Sequence, residues 1–344
     1  EKNMKRKGFT LIELLAVIVV LAIIALIATP IVMNTIKNAK KGAAERTADN
    51  YIKQVETTIA EKKLENNPLA DGPYTIDSNG NLTGNGLTES VTIDMNGNKP
   101  TSGKITIKNN GVDQDNSNVK IGDYIVSYDK DNNKQQAQEL YKGVLCKAVT
   151  TATNGNIPQG KFAYGDEYTC ELGDNEEKTF FVLETNGDNV SLIMNKNIDS
   201  NGKGTTSGNT VAWVTKEDYL AAGGTSNDYG RIGNNKFGPI TAEKALKKNT
   251  KTWTKLTESQ ISLPSYDQIY KAAGNKTSEL PTWLYGNLNS SSAPSAYWTS
   301  TPYASYSNIA WFVACGGYLD GSGVGDANFN GVRPVITVSK SNLS

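Results

Sequence analysis

The sequence predicts an α+β protein: one very long N-terminal helix, a small antiparallel β-sheet head, and a larger C-terminal α+β domain. Three observations carry this expectation. An apolar run from Phe9 to Met33 passes into helical spacing that lasts to Asn67. Residues 72–128 alternate short β-branched and aromatic runs with Asn-Gly turn signals. Beyond residue 143, strand-like runs, two helix-like segments and an aromatic-rich tail follow one another. The implied divisions are a leader at 1–8, a membrane-spanning half-helix at 9–33, an amphipathic half-helix at 34–67, the head at 68–128, a linker at 129–142 and the C-terminal domain at 143–344.

Every residue from Leu14 to Ala28 is apolar; Thr29 and Pro30 interrupt, and Ile31-Val32-Met33 resume. Phe9 to Met33 is 25 residues, and about 20 cross a bilayer. Lys5, Arg6 and Lys7 precede the run, so the positive-inside tendency holds the leader in the cytoplasm and the body outside. A plain secretory signal fits poorly: the run is too long and no small-x-small cleavage site follows it. An ordinary single-span anchor explains the span but neither Glu13 nor the Gly8-Phe9 junction. Glu13 places a carboxylate at the edge of an apolar helix, where an ionisable group is costly and therefore a functional candidate.

The segment Gly8-Phe9-Thr10-Leu11-Ile12-Glu13 behind its basic cluster resembles the cleavage and methylation signal of type IV prepilins. Gly stands before the cut, Phe after it, and Glu is the fifth mature residue. Pro30, at mature position 22, falls where such pilins often carry a helix-kinking proline. The resemblance implies cleavage between Gly8 and Phe9 by a prepilin peptidase and assembly with other pilin subunits by an inner machinery. It implies a single-pass cytoplasmic membrane protein before assembly and an extracellular pilus or cell-surface location afterwards. It also gives Glu13 a role. In an apolar fibre core the Phe9 amine and a neighbour's Glu13 carboxylate are each costly alone and satisfied together.

Beyond the span, Ile36, Ala39, Ala43, Ala44, Ala48, Ile52, Val55 and Ile59 recur at helical spacing, with Lys37, Lys40, Lys41, Glu45, Arg46 and Lys53 on the other face. Asn66-Asn67-Pro68 ends the pattern. Strand-like runs follow at Tyr74–Ile76, Val91–Ile93, Lys104–Ile107 and Tyr124–Tyr128, separated by turn signals at Ser78-Asn79-Gly80, Asn96-Gly97-Asn98 and Asn110-Gly111. A sheet packed on the amphipathic helix is similar to a small pilin head of Gram-positive type. The polar stretch 129–142 reads as a linker or short helix. Its Asp129, Asp131 and Asn133 mimic a calcium loop, but Lys134 replaces the required Gly and Leu140 the bidentate Glu, so no metal is expected.

Composition narrows the function. The chain has 344 residues, a formal net charge of zero and no histidine. No basic field invites nucleic acid. Ser-His-Asp and Cys-His chemistry and His-ligated zinc are all excluded. A structural and binding protein without cofactor is expected rather than an enzyme. Three cysteines in an exported body suit one disulfide and one thiol. Cys146 and Cys170 are the preferred pair, though spacing leaves Cys315 open as a partner for either, and both as reduced core residues.

In the C-terminal domain, Thr179–Leu183 and Val190–Met194 bracket Asn186-Gly187-Asp188-Asn189 as a hairpin, and 241–248 and 266–273 read as helices. The phrases Tyr297-Trp298-Thr299-Ser300-Thr301 and Gly331-Val332-Arg333-Pro334-Val335 resemble the C-type-lectin-like fold of formylglycine-generating-enzyme relatives. In that reading Trp298, Trp311 and Arg333 are scaffold. Only the fold is carried over, since the cysteine and metal chemistry those enzymes need is not assigned to residues here; an enzyme of that type would have Cys315 as its one spare thiol.

Between Tyr303 and Gly331 no Lys, Glu, Gln or Met occurs, and every residue except Trp311 is reachable from an asparagine codon by replacing its adenines. This resembles the variable region of retroelement-diversified proteins, which also end in a lectin-like domain. The positions so implied are Tyr303, Ser305, Tyr306, Asn308, Phe312, Ala314, Gly316, Tyr318, Asp320, Ser322, Val324 and Asp326. Tyr offers large amphipathic contact area at low entropy cost, and Ser, Asn and Gly offer adaptable polar contacts. The expected function is a pilus-like subunit, minor or at the tip, whose lectin-like domain binds a protein, glycan or phage ligand. A pseudopilin of a secretion or DNA-uptake machine is the alternative.

Overall fold

The computed structural model describes residues 11–130, 132–149 and 162–344, apart from the side chains of residues 27 and 30. The chain forms two compact units, Glu1–Glu139 and Leu140–Ser344.

In the first unit, helix α1 (Leu11–Leu64) runs for 54 residues without a break at position 30. It ends in a Schellman-type turn. Asn66 takes the left-handed conformation at φ 57°, Asn67 N–H donates to the Lys62 carbonyl and Asn66 N–H to that of Lys63. The sheet comprises β1 (Gly72–Ile76), β2 (Leu82–Thr83), β3 (Ser102–Lys108), β4 (Gly111–Val112), β5 (Asn118–Ile121), β6 (Tyr124–Asp129) and β7 (Lys134–Glu139). Its order is β2-β1-β3-β5-β6-β7, with β4 beside β3, and every pairing is antiparallel. The β3–β4 turn is Asn109-Asn110, at φ 54° and 61°, the two left-handed residues of a type I′ turn.

Ala44, Ala48, Tyr51, Val55 and Ile59 lie one helical turn apart and are buried with Tyr74, Ile76, Ile105, Ile107, Val119 and Val126 of the sheet. The buried stripe starts later than the sequence suggests. Ile36, Ala39 and Ala43 are exposed, and Tyr51, absent from the expected stripe, sits at its centre with its hydroxyl donating to the Gly80 carbonyl at 2.9 Å. Val91–Ile93 forms no strand; Val91 makes only a bridge to Leu82.

The expected linker at 129–142 is overturned. Residues 134–139 are the edge strand β7, paired in register with β6 from Asp129↔Lys134 to Tyr124↔Glu139. Only Gln135 and Ala137 turn inward, so little apolar signal reaches the sequence. The Gln135 amide donates to Gln114 Oε1 at 2.8 Å, and Glu45 of α1 accepts the Ala137 N–H at 3.1 Å, which covers a strand edge.

The second unit holds β8 (Cys146–Ala148), β9 (Glu167–Glu171), β10 (Glu177–Asn186), β11 (Asn189–Met194), β12 (Asn197–Ile198), β13 (Gly204–Thr205), α2 (Lys216–Ala221), α3 (Ile240–Asn249), β14 (Ile261–Ser262), α4 (Tyr266–Ala272), α5 (Thr282–Tyr285), β15 (Ala296–Pro302), β16 (Ile309–Ala314), β17 (Tyr318–Gly323), β18 (Asn330–Gly331) and β19 (Val335–Ser339). A six-stranded sheet has the order β14-β19-β11-β10-β9-β8, and a four-stranded one β17-β16-β15-β18. Ser265 and Gln268 form a capping box that opens α4. The continuous run Phe180-Phe181-Val182-Leu183 is buried on both faces: Phe180 and Val182 enter one core, Phe181 and Leu183 the other. The chain end closes this unit. Leu145 N–H donates to the Asn342 carbonyl, Ala148 N–H to that of Ser344, and Ser344 N–H to that of Cys146.

Candidate functional site

Two regions carry the candidate residues. At the N-terminus, Glu13 lies in the first turn of α1, where the helix macrodipole favours a carboxylate. The apolar half of the helix is long and apolar enough to cross a membrane, and among the described residues none of its most apolar window is buried. Gly8 and Phe9 lie outside the described residues, as does the side chain of Pro30.

The second region is built on β15, β16 and β17. The registers Trp298↔Phe312, Phe312↔Asp320 and Ala314↔Tyr318 place these side chains on one face, while Tyr297, Trp311, Val313 and Leu319 occupy the other. On the first face Trp298 is buried and donates its indole N–H to the Val211 carbonyl at 2.8 Å. Phe312 is half-buried, edge-on to Trp298 with ring centres 6.3 Å apart. Tyr318 and Asp320 are exposed on the outer strand, and Ser322 is half-buried. On the second face Trp311 is half-buried between Tyr303, 4.3 Å away, and Tyr266 of α4, 4.6 Å away. Burial pushes the Tyr266 hydroxyl pKa upward.

Two of the twelve implied surface positions are interior. Val324 is 0% exposed and Ala314 is 5% exposed. Val324 joins the larger core, its N–H donating to the Asn308 carbonyl at 3.0 Å and its carbonyl accepting from Val214 N–H at 3.0 Å. Val324 follows the end of β17 and turns into the larger core, while Ala314 is buried near the end of β16. Of the others, Ser305, Tyr306 and Gly316 are exposed, and Tyr303, Asn308 and Asp326 half-buried.

Arg333 is fully buried. Its Nη1 donates to the Leu284 carbonyl at 2.7 Å and its guanidinium lies 4.3 Å from the Tyr297 ring centre. Burial pushes its pKa down to about 10 and pushes that of Tyr297 up. Tyr297 donates to the same carbonyl at 3.1 Å, so the pair ties β15 and the closing strand segment to α5. Cys146 and Cys170 are directly opposed across β8 and β9 and disulfide-bonded; Cys315 is a half-buried free thiol. Among the described residues, no group of three or more Cys, Asp and Glu could hold a metal ion. Asp131 of the calcium-like stretch lies outside those residues.

One residue at this surface has no sequence signal. Asn235 follows the turn that joins Gly230 to Gly233, and its side-chain amide reaches the backbone of the 303–309 turn. The partners of its side-chain amide lie 68 to 74 residues away, so no local pattern marks it.

Residues 3–29 match the model of the prokaryotic N-terminal methylation motif. The chain is type IV pilin-like at its N-terminus. That motif implies processing by a prepilin peptidase and assembly with other pilins, and the long apolar helix that follows it suits a membrane-inserted precursor. No curated protein and no solved structure matches the chain. The C-type-lectin-like fold implied for residues 143–344 is therefore not identified by these comparisons.

Proposed function

We propose that this chain is a minor or tip subunit of a type IV pilus-like filament, and that it displays residues 140–344 for adhesion to a surface or cell. The observation that carries the reading is the methylation motif over residues 3–29, joined to a half-helix whose apolar side chains are exposed among the described residues. Such a surface needs a bilayer before assembly and neighbouring helices after it. Glu13 then pairs with the Phe9 amine of an adjacent subunit once the leader is removed. A second unit, Leu140–Ser344, larger than the first crowds a helical shaft, which favours a sparse or terminal position. The lectin-like fold and the diversified surface belong to this proposal; the Tyr, Ser and Asn content around Tyr306 suits recognition of a protein, glycan or phage ligand. The protein acts by binding and assembly, without catalysis.

The pseudopilin reading shares the anchor. Burial of Val324 and Ala314 favours it, because two implied variable positions are committed to the core. Fractionation of cells into sheared filaments and membranes separates the readings. The filament reading expects the wild-type chain in the sheared fraction at low abundance and Glu13→Ala confined to the membrane. A chain that forms the bulk of the sheared fibre sinks the minor or tip assignment, and one that never leaves the membrane supports a pseudopilin.

A further inference from the structure

The turn at 303–309 is held in an unusual way. The two hydrogens of the Asn235 side-chain Nδ2 are shared among three carbonyls of that turn, Tyr306 at 2.9 Å, Ile309 at 2.8 Å and, more weakly, Tyr303 at 3.3 Å. The Asn235 backbone N–H donates to a fourth, that of Ser307, at 2.6 Å. The turn also closes on itself, with Tyr303 N–H donating to the Ile309 carbonyl at 3.0 Å. All of these contacts engage main chain. Ala304, Ser305, Tyr306 and Ser307 are all exposed, Tyr306 at 58%. Tyr303 is anchored through its side chain by stacking on Trp311, and the exposed Tyr306 ring leans on Tyr303 with centres 5.7 Å apart.

Asn235 is itself fixed from behind. Gly233 adopts φ 104° and packs so closely that a Cβ there would lie 2.4 Å from Val324 Cγ2. The Gly325 N–H donates to the Ile232 carbonyl at 2.9 Å, pinning this loop to the end of β17. Asn235 therefore reaches the turn from a backbone seated on the core.

We infer that Asn235 is a positioning residue that sets the main-chain path of the 303–309 turn independently of side chains 304–307, making those four positions an exchangeable recognition loop. A turn secured through carbonyls keeps its shape when its side chains change, because the hydrogen-bond acceptors are common to every residue type. Arg231 and Ile232, exposed on the clasping loop, then form the constant border of the variable tip. The inference deepens the proposed display function and rests on it for biological meaning. Its test uses no ligand, so its failure and the failure of the display reading are separable.

The test is amide hydrogen exchange of the full-length chain in detergent micelles, with the β10 and β11 amides as an internal control for folding. Two sets are compared: wild type carrying Ser305→Asp, Tyr306→Asn and Ser307→Tyr singly and together, and Asn235→Ala alone. The expected result is unchanged exchange at Tyr303, Tyr306 and Ile309 in the side-chain set. Asn235→Ala should raise exchange there about ten- to a hundredfold while β10 and β11 stay protected. Asn235→Asp, which keeps the shape but loses the donors, should behave like Asn235→Ala. The inference is overturned if removing the Asn235 amide leaves the turn protected, or if the exchanges at 305–307 loosen it as much. Should Asn235→Ala fail to fold, the side-chain set and Asn235→Asp still decide the matter.

Discussion

Val324 and Tyr306 stand in one run of implied binding positions, yet the fold gives them opposite roles, and a single substitution type separates them. Replacing Val324 with Asn removes a side chain that is 0% exposed and lies in the larger core of the second unit. Loss of its apolar burial costs about 1.5–3 kcal/mol. An amide placed there without partners costs about 1–3 kcal/mol more. The site has little room to relax, because the Gly233 backbone approaches Val324 too closely for even a Cβ at 2.4 Å. The sum is roughly 2.5–6 kcal/mol. For a unit of this size each kcal/mol moves the midpoint by about 2–4 °C, so a fall of roughly 10 °C is expected. Tyr306→Asn, at a side chain 58% exposed, should change stability by under about 0.5 kcal/mol. Differential scanning calorimetry of the two variants measures the contrast. Equal midpoints for Val324→Asn and wild type would refute the division of this surface into core and display positions.

Further outcomes follow from the same geometry. Cys146→Ser with Cys170→Ser opens a loop whose ends are 24 residues apart, so urea unfolding should report a loss of about 3–4 kcal/mol in the second unit. Gly233→Ala forces a Cβ at φ 104° into Val324 and should destabilise the clasping loop by about 1–3 kcal/mol, seen as a lowered thermal midpoint. Asp218 is pushed up by burial, but bonds from Lys244, Thr241 and Thr215 outweigh this and hold it below the usual carboxylate range. A depressed folded pKa gives stability present above the unfolded value, about 3.9, and lost as pH falls through the lower one. Acid titration followed by NMR should loosen the α2–α3 contact below about pH 4, and Asp218→Asn should remove that step.

Much of the architecture was legible because it depends on local periodicity. The apolar run and the stripe through Ala44, Ala48, Val55 and Ile59 mark α1, and β1, β3, β6, β10 and β11 each contain a β-branched or aromatic run that sequence reading marked as a strand. What failed did so for physical reasons. Strand β7, Lys-Gln-Gln-Ala-Gln-Glu, is an edge strand held by backbone pairing and by Glu45, so its side chains carry almost no apolar signal. Ala314 and Val324 look like their neighbours in composition, and only tertiary packing makes them interior. Asn235 acts through hydrogen bonds to a segment about 70 residues later in the chain, which no sequence window contains. Composition thus marked the region of the candidate surface but not which side chains point out of it.

The proposed function requires cleavage of this chain between Gly8 and Phe9 and its passage into a filament. Intact-mass and N-terminal analysis of the protein recovered from sheared surface filaments tests that directly. A polypeptide beginning at Phe9 with a methylated amine is the predicted result. Recovery of chains that still carry the Lys5-Arg6-Lys7 segment, or that begin at a different residue, would contradict it.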